Sequence, residues 1–152
     1  MSWKITNDIM WTMTESPENA YAFDKNYEPD HEKTKVIMNK KVPIKRGDKI
    51  AVLYVNHEPY LVTKWNKKDG TLKEVLEHLY DALDTPLEPN WEETKGIYER
   101  ISNWFKSEDR LELVRKYENG ELKPKELLGD HLYFEGMGRE GSSKNIWVST
   151  GS

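Results

Sequence analysis

The chain contains no cysteine, which excludes disulfides, thiolate zinc sites and a cysteine nucleophile and suits a reducing compartment or the interior of a particle. Long apolar runs are also missing. The longest, Ile50 to Val55, falls far short of the ~20 residues a membrane-spanning helix requires. Nor does an apolar segment of the kind that marks a signal peptide follow Met1-Ser2-Trp3-Lys4. The expectation is a cytoplasmic protein without membrane attachment. No His-Glu-x-x-His or His-x-x-x-His spacing occurs, so neither a metal site nor any other cofactor is expected. Internal repeats and low-complexity segments are absent too.

Apolar residues are scarce. They make up 36% of the chain against 33% charged, and the mean hydropathy is −0.88. A core with so little aliphatic material must draw on the six Trp, eight Tyr and three Phe, each burying about 150–250 Å² when enclosed. One domain suffices for 152 residues, and a chain of this size buries roughly 70% of its unfolded surface.

What the chain does have is charge sorted by position. Residues 1–32 carry seven acids against two bases, residues 33–73 eleven bases against three acids, and residues 74–112 eleven acids against four bases. A net charge of −4 therefore conceals a basic block between two acidic stretches. Such a layout is either an anion-binding face or a chain that neutralises itself on folding.

Residues 1–33 read as an acidic, aromatic-rich arm. Trp3, Trp11, Tyr21 and Phe23 are its anchors, because a disordered tail would be poorer in aromatics. The arm is expected to dock on its own domain or on a partner. Residues 34–152 then form a single α+β domain. Val36 to Met38 reads as a short strand, Val42 to Ile50 as strand, turn, strand with Gly47 in the turn, and Lys49 to Val55 with Tyr60 to Trp65 as a hairpin through Asn56-His57-Glu58-Pro59. Both faces of Ile50 to Val55 are apolar, which places that strand centrally. Thr71 and Glu74 have capping-box spacing, and Leu72, Val75, Leu76, Leu79 and Leu83 share one face of the helix they open, stopped by Pro86. A second helix follows Asn90, with Thr94, Ile97, Tyr98, Ile101, Trp104 and Phe105 as its stripe. A third is expected with Ser107 as its cap and Asn119-Gly120 as its end. Pro124 to Leu128 forms one helical turn, and His131 to Met137 with Asn145 to Thr150 a late hairpin. The expected fold is a mainly antiparallel sheet from the early and late hairpins, with the central helical segment packed on it.

Several motifs carry little chemistry. Gly136-Met137-Gly138-Arg139-Glu140-Gly141 spells G-x-G-x-x-G but lacks the helix and second strand of a dinucleotide site, so a hairpin loop is the reading. Arg46-Gly47-Asp48 is read as a turn. His31, His57, His78 and His131 lie in separate elements. His131, Tyr133 and Glu135 share a strand face and could relay protons, but a solvated face is the simpler account. No catalytic set converges, and an enzyme is not expected.

The basic block has more content. Lys40, Lys41, Lys45, Arg46, Lys64, Lys67 and Lys68 lie on or beside the first hairpin, with Trp65 among them. Lysines that neutralise phosphates and aromatics that stack on bases are the combination single-strand binders use. Against this, ten of the block's eleven bases are Lys, and the acidic stretches could face it instead.

Leu87-Glu88-Pro89-Asn90-Trp91-Glu92-Glu93, after the helix Thr71 to Leu83, resembles a stretch of the mRNA cap-binding initiation factor family. That resemblance implies a stacking site in which Trp91 lies on methylated guanine and Glu92 accepts its N–H groups. The family's long segment between helix and Trp is missing here, and the alternative is that Trp91 starts a helix and packs in the core. A second resemblance spans residues 71–152. The helix around Leu76-Glu77-His78-Leu79-Tyr80, the run Leu127-Leu128-Gly129-Asp130-His131-Leu132-Tyr133-Phe134-Glu135-Gly136 and the end Thr150-Gly151-Ser152 resemble small uncharacterised proteins of nucleocytoplasmic large DNA viruses. It implies a viral protein in host cytoplasm or a virion. Together these readings favour a non-enzymatic protein-interaction module with a protein partner or self-association. The alternative is a binder of nucleic acid or a cap-like ligand.

Overall fold

The computed structural model describes residues 3–55 and 58–151, and side chains within them except those of 53–62 and 91–93. The chain begins with a 3₁₀ turn, Lys4–Asp8, then β1 (Ile9–Met10), a second 3₁₀ turn, Pro17–Asn19, β2 (Tyr21–Phe23) and β3 (Pro29–Asp30). These three strands form a small antiparallel sheet with β2 in the middle. Helix α1 (His31–Met38) follows, and the Asp30 carboxylate caps it by accepting the Lys33 N–H at 3.0 Å. This corrects the strand expected at Val36 to Met38. Three apolar residues in a row carry no period, and the Asp30 cap upstream outweighs the β preference of Val and Ile. Ile37 and Met38 are buried while Val36 faces solvent.

Next come β4 (Lys41–Val42), β5 (Lys49–Val55), β6 (Glu58–Lys64) and β7 (Gly70–Thr71), which pairs with β4. Helices α2 (Leu72–Leu83), α3 (Trp91–Trp104) and α4 (Ser107–Glu118), a 3₁₀ turn at Pro124–Leu127, and strands β8 (Tyr133–Arg139) and β9 (Asn145–Gly151) complete the chain. The main sheet has the order β6-β5-β9-β8. Each hairpin is antiparallel, and they join through a short parallel contact in which Lys49, Ile50 and Ala51 lie opposite Asn145, Ile146 and Trp147. The α+β class therefore holds. Ile50, Ala51 and Val52 are all buried, as a strand covered on both faces requires.

Helix α2 has its full capping box. The Glu74 N–H donates to Thr71 Oγ1 at 3.2 Å and the Thr71 N–H to Glu74 Oε1 at 3.0 Å. Leu72, Val75, Leu76, Leu79 and Leu83 are completely enclosed. Helix α4 departs from expectation at its start: Ser107 is the first helical residue, Lys106 takes the cap position, and no side chain caps the end. Glu108 and Asp109 in the first turn offset the exposed N–H groups there.

The arm docks on its own domain along the outer edge of β8. The Trp3 N–H donates to Met137 O at 2.9 Å, the Phe134 N–H to Trp11 O at 3.0 Å, and the Met13 N–H to Leu132 O at 2.8 Å. The arm thus occupies backbone groups that an edge strand would otherwise leave open. Trp3, Ile9, Trp11 and Met13 join the same hydrophobic cluster as Leu76, Ile101 and Val148. Among the described residues, no helix is long and apolar enough to cross a membrane.

Candidate interaction surface at the basic end of the sheet

Strands β5 and β9 run parallel and begin at the same end of the sheet, so the loops that feed them meet there. The Lys49 N–H donates to Lys144 O at 2.8 Å, the Gly47 N–H to Trp65 O at 2.9 Å, and the Trp65 N–H to Asp48 O at 2.8 Å. Arg46 Nε donates to Asn66 O at 3.2 Å. Gly47, at φ 93°, takes the left-handed conformation that its turn requires. These bonds bring the exposed side chains of Lys45, Arg46, Lys49, Lys64 and Lys144 to one end of the sheet. Residues 65–70 lead from it to the β4–β7 pair, adding exposed Lys67, Lys68, Lys41, Lys40 and Lys73.

One part-buried ion pair, its carboxylate enclosed and its guanidinium partly open to solvent, organises this end. Arg139, the last residue of β8, donates to both oxygens of Asp48, Nη1 to Oδ1 at 2.9 Å and Nη2 to Oδ2 at 2.7 Å. It also donates to Pro43 O at 2.6 Å and Ser143 O at 3.0 Å. The Lys45 N–H donates to Asp48 Oδ2 at 2.8 Å. A single guanidinium therefore fastens the 43–48 turn to the late hairpin, in the bidentate geometry that Lys cannot supply. Burial opposes ionisation of Asp48, but the Arg139 hydrogen bonds and the Lys45 N–H outweigh it and hold the carboxyl below its ordinary value.

The cations of this end are only lightly neutralised. Lys41 pairs with Asp69 at 2.8 Å and Lys67 with Glu74 at 3.5 Å. The Lys41 hydrogen bond lowers the Asp69 carboxyl and raises the Lys41 ammonium. Among the described residues Lys40, Lys45, Arg46, Lys49, Lys64, Lys68, Lys73 and Lys144 make no ion pair, although the charge of Lys45 helps hold the Asp48 carboxyl low and that of Lys68 the Asp69 carboxyl. Acids further along the chain are engaged elsewhere: Asp84 with Lys123 and Lys125, and Glu126 with Lys116. No described ion pair joins the arm to the basic block.

Trp65 corrects the expectation of a stacking surface. It is 1% exposed and wedged between Gly70, where an added Cβ would lie 2.5 Å from its ring, and His78, whose ring meets it edge-on at 5.2 Å. Its indole N–H is buried without a described partner, and Lys67 Nζ lies 5.7 Å above its ring. No base can reach its face. Trp3 and Trp11, expected as interaction anchors, are likewise buried within the chain, so they hold the arm to its own domain. Tyr21 is 37% exposed, and Phe23 is half-buried against exposed Tyr27. Trp91 and Glu92 open α3, and their side chains lie outside the described residues, as does the turn residue His57.

Tyr133 and Glu135 are exposed on β8, whereas His131 precedes that strand and meets Trp104 edge-on at 4.9 Å. The G-x-G-x-x-G run is the end of β8 and its hairpin. No group of three or more His, Asp or Glu suited to a metal ion occurs among the described residues. Asp48, Arg139 and Lys144 were not legible as parts of this surface. The pair Asp48 and Arg139 spans 91 positions, and only the β5–β9 register brings Lys144 to Gly47. Comparison with protein-family models, curated proteins and solved structures gave no match.

Proposed function

We propose that the protein is a non-enzymatic interaction module that docks an acidic protein partner through the basic end of its sheet. The observation that carries this reading is the gathering of solvent-facing cations on one end, most of them in no close ion pair among the described residues, while acids elsewhere pair with other bases. Like charges held together raise the local potential, attract an acidic surface and speed its encounter. The Asp48–Arg139 clamp fixes two of the loops in advance and so lowers the ordering cost of association. A component of a viral assembly, in host cytoplasm or a virion, is the setting that the resemblance of residues 71–152 implies.

The second reading, binding along a nucleic-acid backbone, uses the same lysines as phosphate contacts. Burial of Trp65 removes the stacking that single-strand readers add to such contacts. One titration separates the two. Labelled polyglutamate and oligothymidylate are each measured against the wild type and a Lys45→Glu/Lys68→Glu variant over a range of salt. Polyglutamate binding that the reversal abolishes without altering the melting temperature supports the acidic-partner reading. Preferential oligothymidylate binding, with a salt slope of about −0.7 per phosphate neutralised, replaces it with the second. Absence of binding to both at low salt removes the basic end as a working surface.

A further inference from the structure

A groove of about 570 Å³ lies where the arm meets helices α1 and α2, within the ~300–1,000 Å³ of ligand-bearing clefts. Buried Pro17, Ala20 and Met38 form its floor, and Tyr21 and Pro29, both exposed, line one side. The other side is α1, whose His31, Thr34, Lys35 and Met38 stand at i, i+3, i+4 and i+7 and so share one face. The Thr34 hydroxyl locks that face to β2. It accepts the Ala22 N–H at 2.8 Å and donates to Asp30 O at 2.7 Å.

The rim is cationic. Lys35 and Lys73 line the groove and make no ion pair among the described residues, while Glu18 is a carboxylate on its margin. Tyr21 leaves 37% of its surface open, and its hydroxyl has no partner among the described residues. Holding the arm to the domain explains the buried floor. It does not explain an open tyrosine and proline beside two such lysines, a combination of apolar surface and polar rim that marks contact sites.

The same chain carries a ridge of matching form. On α4, Glu108, Leu111, Glu112 and Arg115 repeat the i, i+3, i+4, i+7 spacing, all exposed, over about 10 Å. Leu111 is 80% exposed. A single exposed leucine is ordinary, but this one has a carboxylate on either side along its own face. Neither Glu108 nor Glu112 makes an ion pair among the described residues, although Lys116 feels the charge of Glu112. The ridge thus offers an apolar knob among acids with one base at its end. The groove offers an apolar floor among bases with one acid at its margin.

We infer that the groove seats the α4 ridge of a second copy of this chain, with Leu111 on the apolar floor beside the Tyr21 ring and Glu108 and Glu112 against Lys35 and Lys73. The two surfaces differ, so the contact is head-to-tail: a copy that gives its ridge keeps an open groove, and the array continues. One helix face in one groove covers less than the ~1,600 Å² of a standard interface, and a charge of −4 on every copy opposes their approach. The association is therefore weak and needs concentrated protein. It does not rest on the acidic-partner reading, because Lys45 and Lys68 stay outside the contact.

Sedimentation equilibrium of the intact protein, from micromolar to millimolar at low salt, is the test. The mean mass of the wild type should rise with concentration without a plateau at the dimer, and should rise less as salt screens the charges. Tyr21→Ala/Lys35→Glu spoils the groove and Leu111→Ala/Glu112→Lys the ridge, and each variant alone should stay monomeric with an unchanged melting temperature in dilute solution. Mixed in equal amounts they should form one-to-one dimers and nothing larger, since one keeps a ridge and the other a groove. Lys45→Glu/Lys68→Glu should still associate. A monomeric wild type, a plateau at the dimer, a spoiled variant that associates as the wild type does, a mixture that stays monomeric, or loss confined to Lys45→Glu/Lys68→Glu would each overturn the inference. If the double groove variant does not fold, Lys35→Glu alone, at an exposed position, takes its place in the same comparison.

Discussion

At the scale of single residues the most consequential pair is Asp48 with Arg139, because one salt bridge positions the turn and the hairpin that carry much of the basic end. Removing Arg139 leaves the buried Asp48 carboxylate without its guanidinium partner. Arg139→Ala is therefore expected to cost about 3–5 kcal/mol, visible as a lower denaturant midpoint, and to loosen the 43–48 turn. The same pair sets an acid limit. Asp48 titrates in the folded protein below its ordinary 3.8, so its contribution is fully present above that value and is lost as pH falls through it toward the native pKa. Melts from neutrality down to about pH 2 should show Asp48→Asn and wild type converging in acid. His78 works in a higher window. Burial lowers its pKa from 6.5, the Asp81 charge opposing and Lys67 adding, while Nε2 lies 2.9 Å from Thr63 Oγ1. Protons then bind the unfolded chain more readily than the folded one. Stability is unaffected above 6.5 and declines as pH drops below it until the native pKa is reached. His78→Gln should flatten the profile in that window, and an unchanged slope would reject burial as the cause. Neither residue's role was legible in sequence. The RGD tripeptide is identifiable as a turn from its glycine, but nothing local points to a partner 91 positions away.

Elements differ in how much of themselves the sequence shows. Helix α2 is almost fully legible because its information is local: a cap, a reciprocal acid three residues on, and five apolar residues at helical spacing. Thr71→Ala should cost about 1 kcal/mol by leaving the Glu74 N–H without its acceptor. Leu76→Ala, at a completely enclosed position, should cost about 2–5 kcal/mol. Leu111→Ala on α4, 80% exposed, should stay within about 0.5 kcal/mol of wild type. Chemical denaturation of the three variants checks the order, and a loss at Leu111 as large as that at Leu76 would mean that α4 buries a different face. Helix α1 is hidden in the sequence because eight residues with a short apolar end give periodicity little to work on, and its decisive cap, Asp30, sits within the polar arm. Ser107 on α4 satisfied the composition of a cap while its backbone lay one position inside the helix. Boundary position depends on the geometry of the preceding residue, which composition does not carry.

Across the whole molecule, the two hairpins were visible in the sequence but their junction was not. A parallel contact between Lys49–Ala51 and Asn145–Trp147 joins segments separated by most of the chain, and that junction decides which lysines share a surface. The block of charge was legible; its convergence on one end, together with Arg139 and Lys144 from the far end of the chain, was not. The arm shows the same limit. Its aromatics announced that it docks somewhere, whereas the backbone bonds to Leu132, Phe134 and Met137 show where. This placement has a consequence for truncation. An arm reserved for a partner could be removed at little cost to the fold. Deleting residues 1–30 here withdraws Trp3, Ile9, Trp11, Met13, Ala20 and Ala22 from the common core and uncovers the edge of β8. Each large buried side chain removed costs several kcal/mol, and a domain has only about 5–15 kcal/mol in total. The truncated protein is expected to lose its cooperative melt and to aggregate through the open strand edge, whereas Tyr21→Ala, at an exposed position of the same arm, should melt close to wild type. Circular dichroism melts with light scattering on both variants are the check. A truncation that still melted cooperatively near the wild-type temperature would show that residues 31–152 hold their core without the arm.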